Sequence, residues 1–346
     1  MKTGKLLSLT LAILVALSAI LLTSCSAEAP NIPIVCGETG MNDAMGVATY
    51  GVDYYSLGVK AGDMAADILL NGADPATMEV ATDPNPALSV NETVAGEIGF
   101  TIPESIKSRA TGGSSTTVTR DTSAIVTSGA DYTVGILQLV QHVALDQANK
   151  GFQDQLSVRM AAAGKKVTIL DENASGDEAN NATIVNTLIG KNVDLIYTIA
   201  TSSSQAAAAA TEEKDIPVVF NAVTDPVGAG LVASMAAPGG NVTGVSDINP
   251  VEKQIELITE LLGSKDIKVG FLYTSAETNS VTQINMAKAY CEENGIEYVE
   301  RGIADITEVN TAMVALANEG VDAIYIPTDN VLANGAATVH AINIGQ

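Results

Sequence analysis

Tryptophan is absent, all aromatic residues together make up 4% of the chain, and there are two histidines and three cysteines. Lysine and arginine number 17 against 40 acidic residues. Each scarcity removes a class of function. A net charge of −23 repels phosphate backbones, and no basic stripe offsets it, so nucleic acid is excluded as a partner. Two histidines and three cysteines, with no CxxC spacing and no histidine cluster, leave nothing to hold a metal, and neither metal nor cofactor is expected. The shortage of aromatics argues against a sugar or nucleoside site, which commonly stacks the ring. No nucleophile stands beside a base and no Gly-rich phosphate loop occurs, so an exported α/β enzyme is the weaker alternative.

What the chain does contain is apolar. Hydrophobic residues reach 47% and charged ones only 16%, the composition of buried sheets and small-residue helices rather than of disorder. Lys2 and Lys5 precede the apolar run Leu6 to Leu22, the pattern of an export signal, and the run closes on Leu22-Thr-Ser-Cys25. That tetrapeptide resembles a bacterial lipobox, so residues 1–25 are expected to be a lipoprotein signal with Cys25 carrying the lipid. The expected location is the extracytoplasmic face of the cell membrane, held by a short tether from Ser26 to Asn31 of at most roughly 20 Å. Cys36 and Cys291 fall on a strand and a helix, and read as buried hydrophobes rather than a disulfide.

The pattern that organises the chain is Val193-Asp-Leu-Ile-Tyr-Thr-Ile-Ala-Thr-Ser202, then Ser203, Ser204 and an alanine run: a strand buried on both faces, a hydroxyl loop, a helix start. Thr201 to Ser204 are expected to cap that helix and to present its N-terminus to an anion. The pattern recurs at Val321-Asp-Ala-Ile-Tyr-Ile-Pro-Thr-Asp-Asn330. Val134 to Leu137 is matched by Val269 to Leu272, and Val167 to Leu170 by Ile296 to Val299, at an offset of roughly 130 residues. Two βαβαβ units follow. The first continues into Ile216-Pro-Val-Val-Phe220, while the second has no such strand after it; Ile32-Pro-Ile-Val-Cys36, with the same opening, stands at the other end of the chain. The order looks circularly permuted, either in the protein or through a rotated gene model.

The expected fold is therefore α/β: two Rossmann-like lobes with parallel sheets joined by a hinge. Residues 26–45 and 247–346 are assigned to lobe 2, residues 46–77 and 122–246 to lobe 1, 78–110 to a crossing segment and 111–121 to a flexible Gly/Ser/Thr linker. Open α/β sheets bind ligands outside the carboxyl ends of their strands. This rule selects Glu38 after Ile32–Cys36, Gln138 and His142 after the Asp131–Leu137 strand, Thr201, Ser202 and Ser203, and Thr224 and Asp225 after Ile216–Phe220. On lobe 2 it selects Ser275, Asn279 and Ser280 in the hydroxyl-rich loop after Ile267–Tyr273, and Asp329. His142 reads as a hydrogen-bonding residue, and one of Tyr54 and Tyr55, at the start of a helix capped by Asp53, as a candidate to face the cleft.

Val134 to Phe152 with His142-Val-Ala-Leu145, Asn221-Ala-Val-Thr-Asp-Pro-Val-Gly-Ala-Gly-Leu231, Thr274 to Ser280, Tyr325 to Asn330 and Ala48 to Tyr55 resemble the solute-binding lipoproteins of ABC transporters, in the tryptophan/tyrosine-binding group with the type I periplasmic-binding fold. In that family the segment equivalent to Ile32–Ala110 comes last. The resemblance implies a two-lobed receptor that closes on a small, amino acid-like solute and delivers it to a membrane permease. For such a solute, hydroxyls at helix starts suit the carboxylate and an acid such as Asp329 suits the ammonium.

Overall fold

The computed structural model describes residues 30–83, 85–111 and 117–345. The leader with Cys25 and residues 112–116 of the Gly/Ser/Thr linker lie outside the described residues.

Among the described residues, eleven strands form two sheets. In chain order they are β1 (Ile34–Cys36), β2 (Ala48–Gly51), β3 (Ala87–Val90), β4 (Tyr132–Gln138), β5 (Val167–Asn173), β6 (Leu195–Ile199), β7 (Val218–Asn221), β8 (Val242–Gly244), β9 (Lys268–Thr274), β10 (Glu297–Ile303) and β11 (Ala323–Ile326). Lobe 1 holds β5-β4-β6-β7-β8, all parallel. Lobe 2 holds β10-β9-β11-β1-β2-β3, parallel except for β3. Central strands are mainly apolar because helices cover both faces; every residue of β6 is buried, while edge strand β5 is half-buried and carries Asp171 and Glu172.

The two orders correspond place for place, with β9, β10 and β11 matching β4, β5 and β6. β1 then takes the place in lobe 2 that β7 takes in lobe 1, with Ile34, Val35 and Cys36 opposite Ile324, Tyr325 and Ile326. The two Ile-Pro strands are thus equivalents. Beside β1, the Asn343 side chain accepts from Ile32 N at 3.1 Å and donates to Ile32 O at 2.8 Å.

The lobe boundaries differ from expectation in three places. β2 pairs with β1 and β3, so residues 46–51 belong to lobe 2, where Val47 and Ala48 are buried with Val35 and Leu257. A four-residue strand ending in glycine gave little signal of this. Residues 78–110 are not one crossing segment: Ala81 pairs with Val245 of lobe 1, whereas Leu88, Val94, Ile102 and Ile106 are core residues of lobe 2. The described end of the linker is anchored rather than free. Val118 exchanges hydrogen bonds with the Tyr55 hydroxyl, and Arg120 pairs with Asp154, which is 1% exposed.

Helix Tyr54–Asn71 follows its sequence signals. Asp53 accepts from Tyr55 N and Ser56 N, and Gly72 closes the helix in the left-handed region at φ 66°. The helix lies on helix Val143–Ala162 so closely that a Cβ on Gly58 would come within 2.1 Å of Ala148 O, and one on Gly151 within 2.1 Å of Tyr55 O. Cys36 and Cys291 are free and buried. No described helix is long and apolar enough to cross a membrane.

Candidate functional site between the lobes

Apart from the stretch after Thr111, the chain passes between the lobes three times: at Val52–Asp53, between Ala81 and Ala87, and at Ser246–Pro250. These crossings are tied together. Asn249 accepts from Val52 N at 3.2 Å and donates to Asp247 O at 3.0 Å and Thr328 Oγ1 at 3.2 Å. Asp53 N donates to Asp83 at 3.3 Å.

At the carboxyl ends of both sheets the lobes enclose a cavity of about 10 Å³, room for one water. Lobe 2 contributes Glu38, Asn279, Thr328 and Asp329; lobe 1 contributes His142 and Thr224; Tyr54 and Asp247 come from the crossings. A second space of about 90 Å³ adjoins it, where Thr201 and Ser202 of lobe 1 face Thr278 and Glu277 of lobe 2.

Of the residues expected from sequence, Glu38, His142, Thr224, Asn279 and Asp329 line the cavity, and Thr201 and Ser202 line the adjoining space. The remainder are engaged elsewhere. Gln138 donates to Val140 O at 2.8 Å and Asp146 at 2.7 Å inside lobe 1. Ser203 donates to Asn181 at 2.9 Å, Asp225 accepts from Gly228 N at 2.8 Å, and Ser275 donates to Ile303 O at 3.1 Å. Ser280 donates to Asp329 at 2.8 Å, behind the cavity wall.

Thr201 to Ser204 do not cap their helix. Thr201 is already its first helical residue; Ala200 is the cap, at φ 89° and without a side-chain hydrogen bond. The Ser204 hydroxyl bonds back to Ala200 O at 2.8 Å. The hydroxyls therefore leave this helix start uncovered toward the lobe interface, an arrangement that favours an anion.

Asp329 is 1% exposed and saturated. Its Oδ2 accepts from Thr274 N at 2.6 Å and Ser280 at 2.8 Å, its Oδ1 from Thr274 Oγ1 and Leu332 N, each at 2.9 Å. Four donors fill the sites a carboxylate offers, so Asp329 ties β9 to helices Thr278–Asn294 and Asn330–Asn334. Burial raises its pKa all the same. Glu277 does similar work: it accepts from Asn279, from Asn330 N and Nδ2 at 3.0 Å each, and from Val331 N at 3.1 Å. Burial, with the Asp329 charge next, pushes its carboxyl up to about 7.

Glu38 and Asp247, both 1% exposed, are less occupied. Glu38 accepts from Gly40 N at 2.5 Å and Met41 N at 2.6 Å, and caps helix Thr39–Met45. Burial pushes it up to about 7 against those hydrogen bonds, aided by the charges of Asp43 and Asp247. Asp247 accepts from the Tyr54 hydroxyl at 2.6 Å and from Thr224 at 3.2 Å, and burial raises it too. No lysine or arginine lines the cavity. His142, pushed down by burial, reaches Asn330 Oδ1 across the cleft at 3.4 Å.

Sequence reasoning passed over Asp247 and Glu277. Asp247 follows β8, so the strand-end rule that selects Glu38 reaches it as well. Glu277 stands in the loop whose hydroxyls were chosen instead.

A Clostridioides difficile protein described as a tyrosine-binding protein is 41% identical over 209 residues, 60% of this chain and 59% of its own length. The chain thus spans less than two thirds of that relative. A crystal structure from Streptococcus pneumoniae, an ABC domain in complex with L-Trp, is 39% identical with a TM-score of 0.56, covering 62% of this chain and 71% of that one. A conserved domain protein from Vibrio cholerae gives 35% identity and a TM-score of 0.56 over the same shares. Proteins of this kind bind solutes and are not enzymes. The family of ABC transporter substrate binding proteins matches residues 10–113 and 133–345, and this chain belongs to it, with the two parallel-sheet lobes of the type I periplasmic-binding fold.

Proposed function

We propose that the protein is the extracytoplasmic receptor of an ABC importer, closing on one amino acid with an aromatic or large apolar side chain and delivering it to the permease. The observation that carries this reading is a cavity at the carboxyl ends of both sheets, walled by both lobes, with unshared carboxylate capacity on one side and an uncovered helix start on the other. The two poles match an ammonium and a carboxylate. The relatives described for tyrosine and L-Trp point to the same solute class. With room for a single water, the closed cavity admits an amino acid only after the lobes swing apart, so contact with both lobes is what drives closure. Calorimetry of the purified chain against amino acids, sugars and nucleosides is expected to show one-site binding of L-tryptophan or L-tyrosine. Binding of a sugar or nucleoside with no amino acid bound would reverse the assignment.

The anchoring is read from the lipobox-like Leu22-Thr-Ser-Cys25. Cys25→Ser is expected to abolish fatty-acid labelling and to release no cleaved lipoprotein; label that survives the substitution removes Cys25 as the lipid site.

A further inference from the structure

Among the cavity's acids, Asp329 has four donors, whereas Glu38 has two, and Asp247 has the Tyr54 and Thr224 hydroxyls besides its own backbone N–H, so both keep acceptor sites open. The two come from different parts of the fold, Glu38 from the end of β1 and Asp247 from the crossing after β8, and they converge on one cavity. The titratable groups around them offer no positive charge: Cys36 on β1, Asp43 on helix Thr39–Met45, Tyr54 at the start of its helix, His142 before helix Val143–Ala162, and Asp329 with Glu277 behind it on lobe 2. Two desolvated carboxylates sharing one site resist ionising together, and a proton or another cation must compensate them.

We propose that Glu38 and Asp247 together form the subsite for the solute's ammonium group, and that its arrival expels a proton from the pair to solvent. The inference rests on the amino-acid reading above and adds which side chains select for it. The subsite rejects solutes that carry a carboxylate but no cation, because they leave the pair uncompensated. Binding strengthens as pH rises, since protons compete with the ammonium, and weakens as pH falls below about 7, where burial places the Glu38 carboxyl.

The test is calorimetry of the full chain with L-tryptophan, L-tyrosine and 3-indolepropionate, in buffers of different ionisation enthalpy at pH 7 and at pH 5.5. The unaltered chain is expected to release protons on binding tryptophan or tyrosine, to bind more weakly at pH 5.5, and to bind 3-indolepropionate at least tenfold more weakly. In Asp247→Asn and Glu38→Gln, affinity for the amino acid falls at least tenfold, the preference over 3-indolepropionate shrinks and proton release diminishes. A heat of binding independent of buffer, or variants that keep both affinity and preference, overturns the subsite while leaving amino-acid binding intact. Absence of binding by any amino acid in the unaltered chain overturns the solute class itself. The buffer series needs no variant, so it decides even if a substitution prevents folding.

Discussion

Asp329 shows how position and chemistry can mislead at the scale of one residue. It stands at the carboxyl end of a central strand and is an acid, which makes it a natural partner for an ammonium. Its oxygens, however, are spent on Thr274, Ser280 and Leu332. Asp329→Asn replaces one acceptor oxygen by an NH2 donor that faces the donors on that side, and is expected to destabilise the protein by about 2–3 kcal/mol in denaturant unfolding. Unchanged stability with lost amino-acid affinity would return Asp329 to the ligand. The same inward turn took Ser203, Ser275 and Gln138 out of the cleft, because a sequence shows which hydroxyls and amides lie near a strand end but not which backbone groups they satisfy first. Glu38 and Thr224 were legible because the strand-end rule places the residue itself, whatever its hydrogen bonds.

Secondary elements were easier to read than side-chain roles. Buried parallel strands appear as continuous apolar runs, and Asp53 and Gly72 bracket their helix with unambiguous cap chemistry. Ala-Thr-Tyr-Gly carries almost no strand pattern, so only its pairing with β1 places β2 in lobe 2. The contact of helices Tyr54–Asn71 and Val143–Ala162 was likewise invisible, although Gly58, Gly62 and Gly151 make it. Glycine in mid-helix costs about 1 kcal/mol in propensity, and here the close crossing offsets that. Gly58→Ala places a Cβ 2.1 Å from Ala148 O, and is expected to lower stability by about 2–3 kcal/mol. Gly96→Ala, with nothing within 4 Å of the added carbon, is expected to be neutral or mildly stabilising. Equal melting shifts for the two would refute the crossing as the cause.

At the scale of the whole molecule, β1 and β7 occupy equivalent places although one opens the described chain and the other lies inside it. We propose that the order of the two segments is interchangeable, the circular permutation that the paired Ile-Pro strands suggest. Asn31 N donates to Asn343 O at 2.9 Å, so a peptide join between these neighbourhoods needs little rearrangement. A chain reordered as residues 117–345 followed by 30–111 is expected to unfold within about 1 kcal/mol of the native order and to bind the same solute. A reordered chain that fails to fold, with the native order folding under identical conditions, argues that connectivity itself is required. The three crossings set how such a molecule moves. Cross-linked by Asn249 and by Asp53–Asp83, they act like the leaves of a flexure bearing, compliant in bending and stiff against twist and shear. If the lobes close on a solute as proposed above, closure is expected to run close to a single mechanical coordinate and to return the lobes to the same register on every cycle. That repeatability lets groups from separate parts of the chain, Glu38 and Asp247 among them, act as one fixed surface each time the bearing shuts.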